Sequence, residues 1–347
     1  MKNLIVYVVL IFALVACSKI PVVPPANSGF GGGVLILNEG NFRAGNSSLS
    51  FYSYDSSKVY NDLFYTINGR HLGDVANSMV IKADKAYIVV NNSGKIEVVD
   101  QLTLSSTAII NGLISPRNMS VVSDSKAYVS SLYSDSVAII NLANSTISGY
   151  INLRRTSEAI VVAGNKAFIS NWMNGNEVMV VNTLNNQVID SIKVGVEPES
   201  MVIDRNGTLW VLCDGGWTHE NYAKLITINI TTDKVIKEYV FPTLQASPSC
   251  LKIDGFGQNI FYLDGGVRQM DITSDKLPAI PFILQGTGEY FYKIAVNPIT
   301  SDVFVTDAAD FIQQGYVLLY KNDGSFVSKQ KVGIIPGSMC FRLRLNS

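Results

Sequence analysis

Residues 78–89 read SMVIKADKAYIV, which is two short apolar segments on either side of a polar turn. The same arrangement returns at residues 118–129, which read NMSVVSDSKAYV, and again the second segment carries an aromatic ring. Short segments rich in Val, Ile, Tyr and Thr between clusters of Asn, Asp, Gly and Ser predict β-strands and turns. These segments therefore indicate a β-hairpin that is repeated along the chain.

The aromatic residue of the second segment recurs at a nearly constant distance. It is found at Tyr87, Tyr128, Phe168, Trp210, Phe261 and Phe304. The spacings of 41, 40, 42, 51 and 43 residues are typical of propeller blades. Two further strands follow the hairpin, as at residues 96–100 and 106–110, so each unit has the four strands of one blade. In the fifth unit, Ser249-Cys250 takes the place of Ser78-Met79.

The two ends of the sequence complete one unit between them. Ser338-Met339 begins another first strand, and three strands without a first strand precede Ser78-Met79, at residues 34–37, 49–54 and 59–64. We therefore predict an all-β fold, a seven-bladed propeller of four-stranded blades in which both termini complete one blade. Six or eight blades are the alternatives if the long unit at 198–246 is miscounted. The 315 residues from Gly33 to Ser347 divide into seven units of 45.

The first residues have the features of a secretory signal. An apolar run from Leu4 to Ala16 follows Lys2 and is too short to span a bilayer. Leu14-Val15-Ala16-Cys17 resembles a bacterial lipobox, which implies cleavage before Cys17 and its lipidation; an ordinary signal peptide is the alternative. We expect a signal peptide at 1–16, a Pro- and Gly-rich tether at 17–32 and a single propeller domain at 33–347.

Composition excludes several classes of protein. Charged residues form 16% of the chain and the formal net charge is −1, which excludes a basic nucleic-acid binder. Four cysteines are too few for a disulfide-dense scaffold. Apart from Cys17, they are Cys213, Cys250 and Cys340, which lack the spacing of a metal or redox motif. We expect buried apolar side chains there, with one disulfide as the alternative.

Loops on one face of the ring carry the candidate binding residues. The loops after the second and fourth strands of each propeller blade open together around the central funnel. Six of the seven loops after a second strand begin with Asn or Asp, which either caps the turn through its own backbone or adds to a polar ring. Aromatic residues in these loops predict a stacking surface for a broad ligand, and packing between neighbouring loops is the alternative.

The predicted ligand-binding set combines these aromatic residues with polar residues of the same face. It consists of Phe42, Arg70, His71, Asn91, Arg117, Tyr133, Trp172, Asp214, Trp217, His219, Tyr222, Tyr290 and Phe311. The loops after the fourth strands add charges of both signs, which include Arg154, Arg155, Glu158, Glu197, Glu199 and Glu289.

Motifs for catalysis are missing from the sequence. Its two histidines, His71 and His219, lie in different loops without a second metal ligand nearby, and no Gly-x-Ser-x-Gly elbow occurs. We predict no catalytic residue, no metal and no cofactor. Calcium at Asp214, Asp264 or Asp307 stays open, although no loop has the alternating pattern of oxygen ligands.

Residues 33–347 resemble the seven-bladed, YncE-like propellers of the bacterial cell envelope. The resemblance is carried by residues 37–41 (LNEGN), 68–79 (NGRHLGDVANSM) and 90–98 (VNNSGKIEV). These residues are closest to the lipoprotein branch that includes the BtuG type, surface proteins that bind cobalamin and pass it to a TonB-dependent outer-membrane transporter. Ser18-Lys19-Ile20, which follows Cys17, lacks the acidic residues that often direct such lipoproteins to the cell surface.

The resemblance implies a lipid-anchored binding protein of the outer membrane, at the cell surface or facing the periplasm. Its ligand would be a corrinoid, bound as cargo and not as a cofactor, and its partner a TonB-dependent transporter; it would otherwise be a monomer. A propeller that binds a protein or a glycan of the envelope is the alternative. A third possibility is a lyase that resembles the propellers that open cyclic ester antibiotics, with His71 or His219 as the base.

Overall fold

Seven four-stranded antiparallel sheets follow one another around a ring in the computed structural model, which describes residues 31–343. The innermost strands of neighbouring sheets contact one another around a central channel. The prediction of an all-β, seven-bladed propeller is confirmed, and the alternatives of six and eight blades are wrong. The predicted signal peptide (1–16), the lipidation site Cys17 and all but the last two residues of the tether (17–32) lie outside the described residues.

The strands of each blade are given from the inside of the ring outward. Blade 7 contains both ends of the described chain: β28 (Pro336–Arg342), β1 (Gly33–Asn38), β2 (Ser48–Ser53) and β3 (Lys58–Tyr60). Blade 1 contains β4 (Ala76–Lys82), β5 (Lys85–Val90), β6 (Lys95–Asp100) and β7 (Ser106–Asn111). Blade 2 contains β8 (Pro116–Val121), β9 (Lys126–Ser131), β10 (Ser136–Asn141) and β11 (Thr146–Asn152).

Blades 3 to 6 follow in the same order along the chain. Blade 3 contains β12 (Ile160–Ala163), β13 (Lys166–Asn171), β14 (Glu177–Asn182) and β15 (Gln187–Lys193). Blade 4 contains β16 (Pro198–Ile203), β17 (Thr208–Cys213), β18 (Lys224–Asn229) and β19 (Lys234–Val240). Blade 5 contains β20 (Ser249–Ile253), β21 (Asn259–Leu263), β22 (Gly266–Asp271) and the two-residue β23 (Ile283–Leu284). Blade 6 contains β24 (Phe291–Val296), β25 (Val303–Asp307), β26 (Gln314–Tyr320) and β27 (Phe326–Ile334).

The repeated aromatic residues form the core between blades. All six are at most 2% exposed: Tyr87, Tyr128, Phe168, Trp210, Phe261 and Phe304. Tyr87 of blade 1 belongs to a cluster with Met119 and Val129 of blade 2, and Phe168 of blade 3 to a cluster with residues of blade 4. Each of these six aromatics therefore fills the space between its own blade and the next, and Leu35 occupies the equivalent position of blade 7.

The connection from blade 7 to blade 1 contains a short helix where the sequence predicted strand. The predicted strand 59–64 is wrong beyond Tyr60, because α1 (Leu63–Asn68) follows β3 after two residues. Leu63 and Phe64 point into the core, while the Asn68 side chain bonds the backbone of Leu104 and Ser106 in blade 1. Six residues are too few to show a helical period in the sequence. Within residues 31–343 no helix has the length and apolar character needed to cross a membrane.

The register of blade 5 also differs from the prediction. The core aromatic Phe261 pairs with Lys252, just as Trp210 of blade 4 pairs with Val202. The residues equivalent to Ser200-Met201 are therefore Cys250-Leu251, so the match to Ser249-Cys250 is wrong by one residue. The turn between the paired residues Ile253 and Ile260 is one residue longer than the turn between Ile203 and Leu209 of blade 4, which places the apolar residue farther from the core aromatic.

The three cysteines of the propeller are free thiols. Cys213 and Cys250 are buried and Cys340 is half-buried. Burial raises the pKa of the Cys213 thiol, and it raises the pKa of Cys340 to about 11. The expectation of small apolar side chains is confirmed, and no disulfide joins any two of the three.

Candidate functional site

The loops after the second and fourth strands lie at one end of the blades, because neighbouring strands are antiparallel. We call this end the funnel face. The inner strands begin there, so the first side chains of each inner strand line the mouth of the central channel. A cavity of about 270 Å³ occupies the channel, and its lining is mostly polar.

One structurally equivalent position supplies a side chain to this cavity in five of the seven blades, from Asn77, Arg117, Glu158, Glu199 and Tyr292. It lies two residues before the apolar residue at Met79, Met119, Ile160, Met201, Leu251, Ile294 and Met339, and we call it the ring position. It is occupied, from blade 1 to blade 7, by Asn77, Arg117, Glu158, Glu199, Ser249, Tyr292 and Gly337. Charged and polar groups from different blades therefore meet in one channel.

Blade 7 uses a residue of another strand to complete the ring. A Cβ at Gly337 would lie 2.7 Å from Oε1 of Glu39, the residue that follows β1. The glycine thus leaves room for the Glu39 carboxylate, which takes the place of a ring-position side chain. Glu39 accepts a hydrogen bond of 2.9 Å from the Tyr292 hydroxyl.

A bidentate ion pair joins the ring-position residues of blades 2 and 3. Arg117 donates from Nε and Nη2 to the two carboxylate oxygens of Glu158, at 2.7 and 3.0 Å. The Asn118 amide donates to the same carboxylate, and both partners are mostly buried. Burial opposes the charge of Arg117, but Glu158 outweighs it and the pKa of the guanidinium is raised. Bidentate charge-assisted pairs of this kind are among the stronger polar contacts in proteins.

The charged groups on the opposite side of the ring are farther apart. Lys293 lies 3.7 Å from Oε1 of Glu199, and its ammonium group forms no hydrogen bond with any residue from 31 to 343. Oε2 of Glu199 accepts the backbone N–H of Cys250 at 2.9 Å. Burial opposes the charge of Lys293, but Glu199 and Tyr292 outweigh it, so the pKa of the ammonium group is raised. Burial also raises the pKa of Glu39, against the opposing effect of Lys293.

Trp172 and Asp214 connect the rim of the funnel to Arg117. The Trp172 indole N–H donates to Oδ2 of Asp214 at 2.9 Å, and the Arg117 guanidinium lies 6.0 Å from the indole ring. Burial raises the pKa of Asp214 to about 6, although the bonds from Trp172 and from the Gly216 N–H lower it. These two predicted site residues are thus held together at the mouth with a third, Arg117.

A second aromatic group lies above Glu39. The ring of Phe311 is 4.8 Å from that of Tyr290 and 5.6 Å from that of Tyr292, both edge to face. The Asn41 amide donates to the Phe311 carbonyl, which joins this group to the loop after β1. The predicted residues Tyr290 and Phe311 are therefore neighbours.

The remaining predicted aromatics are exposed on the funnel face. Trp217 is 86% exposed, Tyr133 68% and Phe42 64%, and Tyr222 is also exposed. Nine aromatic side chains are exposed in the described part of the chain, and six of them, including Tyr65 of α1, lie on the funnel face. Phe256 and Phe326 lie on the opposite face, and Tyr150 lies on an outer strand.

Three predicted residues serve contacts within the propeller. Arg70 forms a bidentate pair with the fully buried Glu97 of β6, away from the channel. His71 stacks on Tyr65 at 4.7 Å between ring centroids. The Asn91 amide donates to Ser115 and Pro116 at the start of blade 2. The other loop-starting Asn and Asp residues bond in the same way to nearby backbone and side chains, as Asn171 bonds Thr156 and Asp307 bonds Tyr290.

His219 has a buried nitrogen without a partner. Its Nδ1 makes no hydrogen bond with any described residue, and its backbone is left-handed, with φ of 56°. Buried polar atoms are nearly always paired in folded proteins. Within residues 31–343, no group of His, Cys, Asp and Glu side chains is placed to hold a metal ion.

Arg117 is the one residue of the charged ring in the predicted ligand-binding set. Glu158 and Glu199 were recognised only as loop charges, and Glu39, Tyr292 and Lys293 were not selected. The signal was present, because each of them except Glu39 lies within two residues of a repeated apolar position. Glu39 has no such signal, since it reaches the ring from a different strand.

Several solved structures are similar to this chain in fold. A quinonprotein alcohol dehydrogenase-like protein from Bacteroides thetaiotaomicron has a TM-score of 0.69 and 15% identity, over 91% of this chain and 79% of that one. Hydrazine synthase from Kuenenia stuttgartiensis has a TM-score of 0.62 and 15% identity, over 76% and 88%. Virginiamycin B lyase from Staphylococcus aureus has a TM-score of 0.61 and 11% identity, over 77% and 89%.

At such low identity these similarities show the fold alone. No match was found among the curated proteins. The match to a family model is more extensive, since residues 32–332 fit the family described as Domain of unknown function (DUF5074). Because this match covers most of the sequence, the protein belongs to the DUF5074 family.

Proposed function

We propose that this protein is a non-catalytic binding protein that captures a broad ligand on its funnel face, and that the ligand is a corrinoid such as cobalamin. The observation that carries the proposal is the concentration of exposed aromatic rings on this face. Trp217, Tyr133, Phe42, Tyr222 and Tyr290 are all exposed on loops of the funnel face. Exposed aromatic surface of this kind is typical of binding sites, because ring burial supplies much of the free energy of association.

The size of the channel constrains how such a ligand would bind. The cavity of about 270 Å³ is smaller than the roughly 300–1,000 Å³ of pockets that enclose drug-sized ligands. A corrin macrocycle with its amide side chains is larger than a drug-sized molecule. It would therefore lie across the mouth, against the exposed rings, with its amides facing polar groups of the rim such as Asp214.

The resemblance to the BtuG-type lipoproteins supports the cellular part of the proposal. Lipidation at Cys17 would anchor the protein to the outer membrane, and the 17–32 tether would let the propeller approach a TonB-dependent transporter. The propeller would act as a monomer apart from that partner. The similarity in fold to virginiamycin B lyase carries no activity to this chain.

Isothermal titration calorimetry of the purified full chain in detergent, with cobalamin and cobinamide, tests the proposal. We expect a dissociation constant in the micromolar range or tighter, and about a tenfold weakening in Trp217→Ala. The matched control is Phe256→Ala, which removes a ring that is 64% exposed on the opposite face and should leave the affinity unchanged. Absence of heat at micromolar concentrations would exclude the corrinoid.

A partner protein or glycan of the envelope is the alternative ligand for the same rings. Purification of the protein from its own membranes distinguishes the two. A transporter that co-purifies in the absence of any corrinoid, and that is lost in Trp217→Ala, would favour the alternative.

A further inference from the structure

Charged side chains of both signs line the channel cavity. Three carboxylates and three cations line the cavity: Glu39, Glu158, Glu199, Arg117, Lys252 and Lys293. Only Arg117 and Glu158 satisfy each other with direct hydrogen bonds. The rest of the set leaves hydrogen-bonding capacity of both signs directed at the same cavity.

The donors that are left over are ammonium groups. Neither Lys293 nor Lys252 donates a hydrogen bond to any residue between 31 and 343, and the one ion pair of Lys293, with Glu199, is long at 3.7 Å. Lys252 lies one residue beyond the apolar position of blade 5 and is exposed, whereas Lys293 is half-buried, so Lys293 is the more enclosed of the two. An ammonium group in a confined cavity favours an anionic partner.

The acceptors that are left over are carboxylate oxygens. Oε1 of Glu39 is bound by the Tyr292 hydroxyl, but Oε2 has no partner in the described chain and Glu39 forms no ion pair there. Oε1 of Glu199 has only the distant Lys293. Burial raises the pKa of Glu39, which is what an undercompensated carboxylate shows.

We propose that the channel cavity binds a small zwitterion, a free α-amino acid or a dipeptide, with its carboxylate on Lys293 and its ammonium group between Glu39 and Glu199. This goes beyond the proposed capture of a corrinoid, since it concerns the interior of the channel and not its mouth, and a different ligand class. A lone anion would meet three carboxylates, and a lone cation would leave the lysines without a partner. The volume of about 270 Å³ fits a molecule smaller than a drug.

The neutral charge balance of the lining favours the same class. Equal numbers of acidic and basic side chains face the cavity, so a ligand of zero net charge preserves the balance. A sugar would also be neutral, but its hydroxyl groups would bring no positive charge to Glu39 beyond that of Lys293. Buried charges that lack a partner are costly, and an ammonium group removes that cost.

Thermal unfolding and calorimetry of the purified full chain test the proposal with defined probes. The probes are the twenty L-amino acids and glycylglycine at 10 mM, with acetate, methylammonium chloride and glucose at the same ionic strength. We expect at least one zwitterion to raise the unfolding temperature, and none of the three controls to do so. A rise with acetate, methylammonium or glucose equal to that of the best zwitterion would overturn the proposal, as would no rise with any zwitterion.

Variants of both ends of the site make the test specific. Lys293→Met and Glu39→Gln should each weaken binding of the best zwitterion at least tenfold. The matched control is Lys82→Met, at the far end of an inner strand, where Lys82 pairs with the exposed Asp124. Unchanged affinity in both channel variants would contradict the assignment. Trp217→Ala should leave zwitterion binding unchanged, so failure of corrinoid capture and failure of this proposal are separate results.

Discussion

The ring position is used in two different ways on the two sides of the channel. Between blades 2 and 3, Arg117 and Glu158 are joined by two short hydrogen bonds and are mostly buried. On the side formed by blades 4 to 7, Lys293 is 3.7 Å from Glu199, and Glu39 is bound only by Tyr292. The channel therefore has a closed pair of ring-position residues on one side, and on the other an incompletely paired set in which the ring-position residue Glu199 is joined by Lys293 and Glu39.

This difference predicts that one side of the channel contributes to stability and the other to ligand binding. A closed buried pair depends on both partners, because removal of one leaves an uncompensated charge. Loosely paired groups contribute less to folding and stay available to a ligand. The closed side should therefore respond to substitution through stability, and the open side through binding.

Glu158→Gln should have the largest effect on stability. It keeps the shape of the side chain but leaves the buried Arg117 charge unpaired, so we expect a loss of about 3 kcal/mol in the free energy of unfolding. Urea denaturation measures this loss. The matched control is Glu177→Gln, whose partners Arg155 and Lys193 are exposed, and which should cost less than about 1 kcal/mol. Equal losses in the two variants would contradict a closed, buried pair.

Asp214→Asn should change how the free energy of unfolding depends on pH, because it removes a carboxyl group with a raised pKa. The pKa of Asp214 is about 6 in the folded protein, above its unfolded value of 3.8. The stability contributed by its protonated form is complete below the unfolded pKa and is lost as the pH rises through 6. The stability of the wild type relative to Asp214→Asn should therefore fall by about 1–2 kcal/mol between pH 4 and 7.

The check for Asp214 is urea denaturation of both proteins across that pH range. The difference isolates one carboxylate, because all other titrating groups are shared. A difference that stays constant, or that rises with pH, would show that burial does not raise the pKa of Asp214.

Lys293→Met should have a smaller effect on stability than Glu158→Gln. The side chain is partly exposed and its one ion pair is long, so we expect a loss of about 1 kcal/mol. The same urea titration measures it. A loss as large as that of Glu158→Gln would show that both sides of the channel are closed, and the comparison would fail.

Trp217→Ala should leave stability almost unchanged. The indole is 86% exposed, and surface substitutions away from structural features usually fall within about 0.5 kcal/mol. Thermal unfolding checks this value. A loss above about 2 kcal/mol would mean that the ring packs against neighbouring loops, which is the alternative explanation of the loop aromatics.

The fold could be predicted from the sequence because one large residue in each repeat packs between neighbouring blades. Tyr87 and its equivalents are large, aromatic and regularly spaced, so both the period and the core could be read from them. Helix α1 could not be predicted, since six residues show no period and its two core residues look like part of a strand. The one-residue error at Cys250 arises because the hairpin turn of blade 5 is one residue longer than that of blade 4, so the repeated apolar residue lies farther from the core aromatic.

The site was less accessible because its residues meet only in three dimensions. Arg117 was selected as a charge on the correct face, and Trp172 and Asp214 as loop residues, but nothing in the sequence joins them. Glu39 enters the ring because Gly337, almost 300 positions later in the chain, has no side chain. Arg70 was selected by the same reasoning as Arg117, yet its partner is the buried Glu97 of the blade interior.

Hydrogen–deuterium exchange with and without cobalamin tests most directly whether the funnel face binds the ligand. The account predicts slower exchange in the funnel-face loops 39–47, 132–135, 214–223 and 285–290, and no change in the opposite hairpins 204–207 and 321–325. Protection of the opposite hairpins, or no protection at saturating cobalamin, would contradict it.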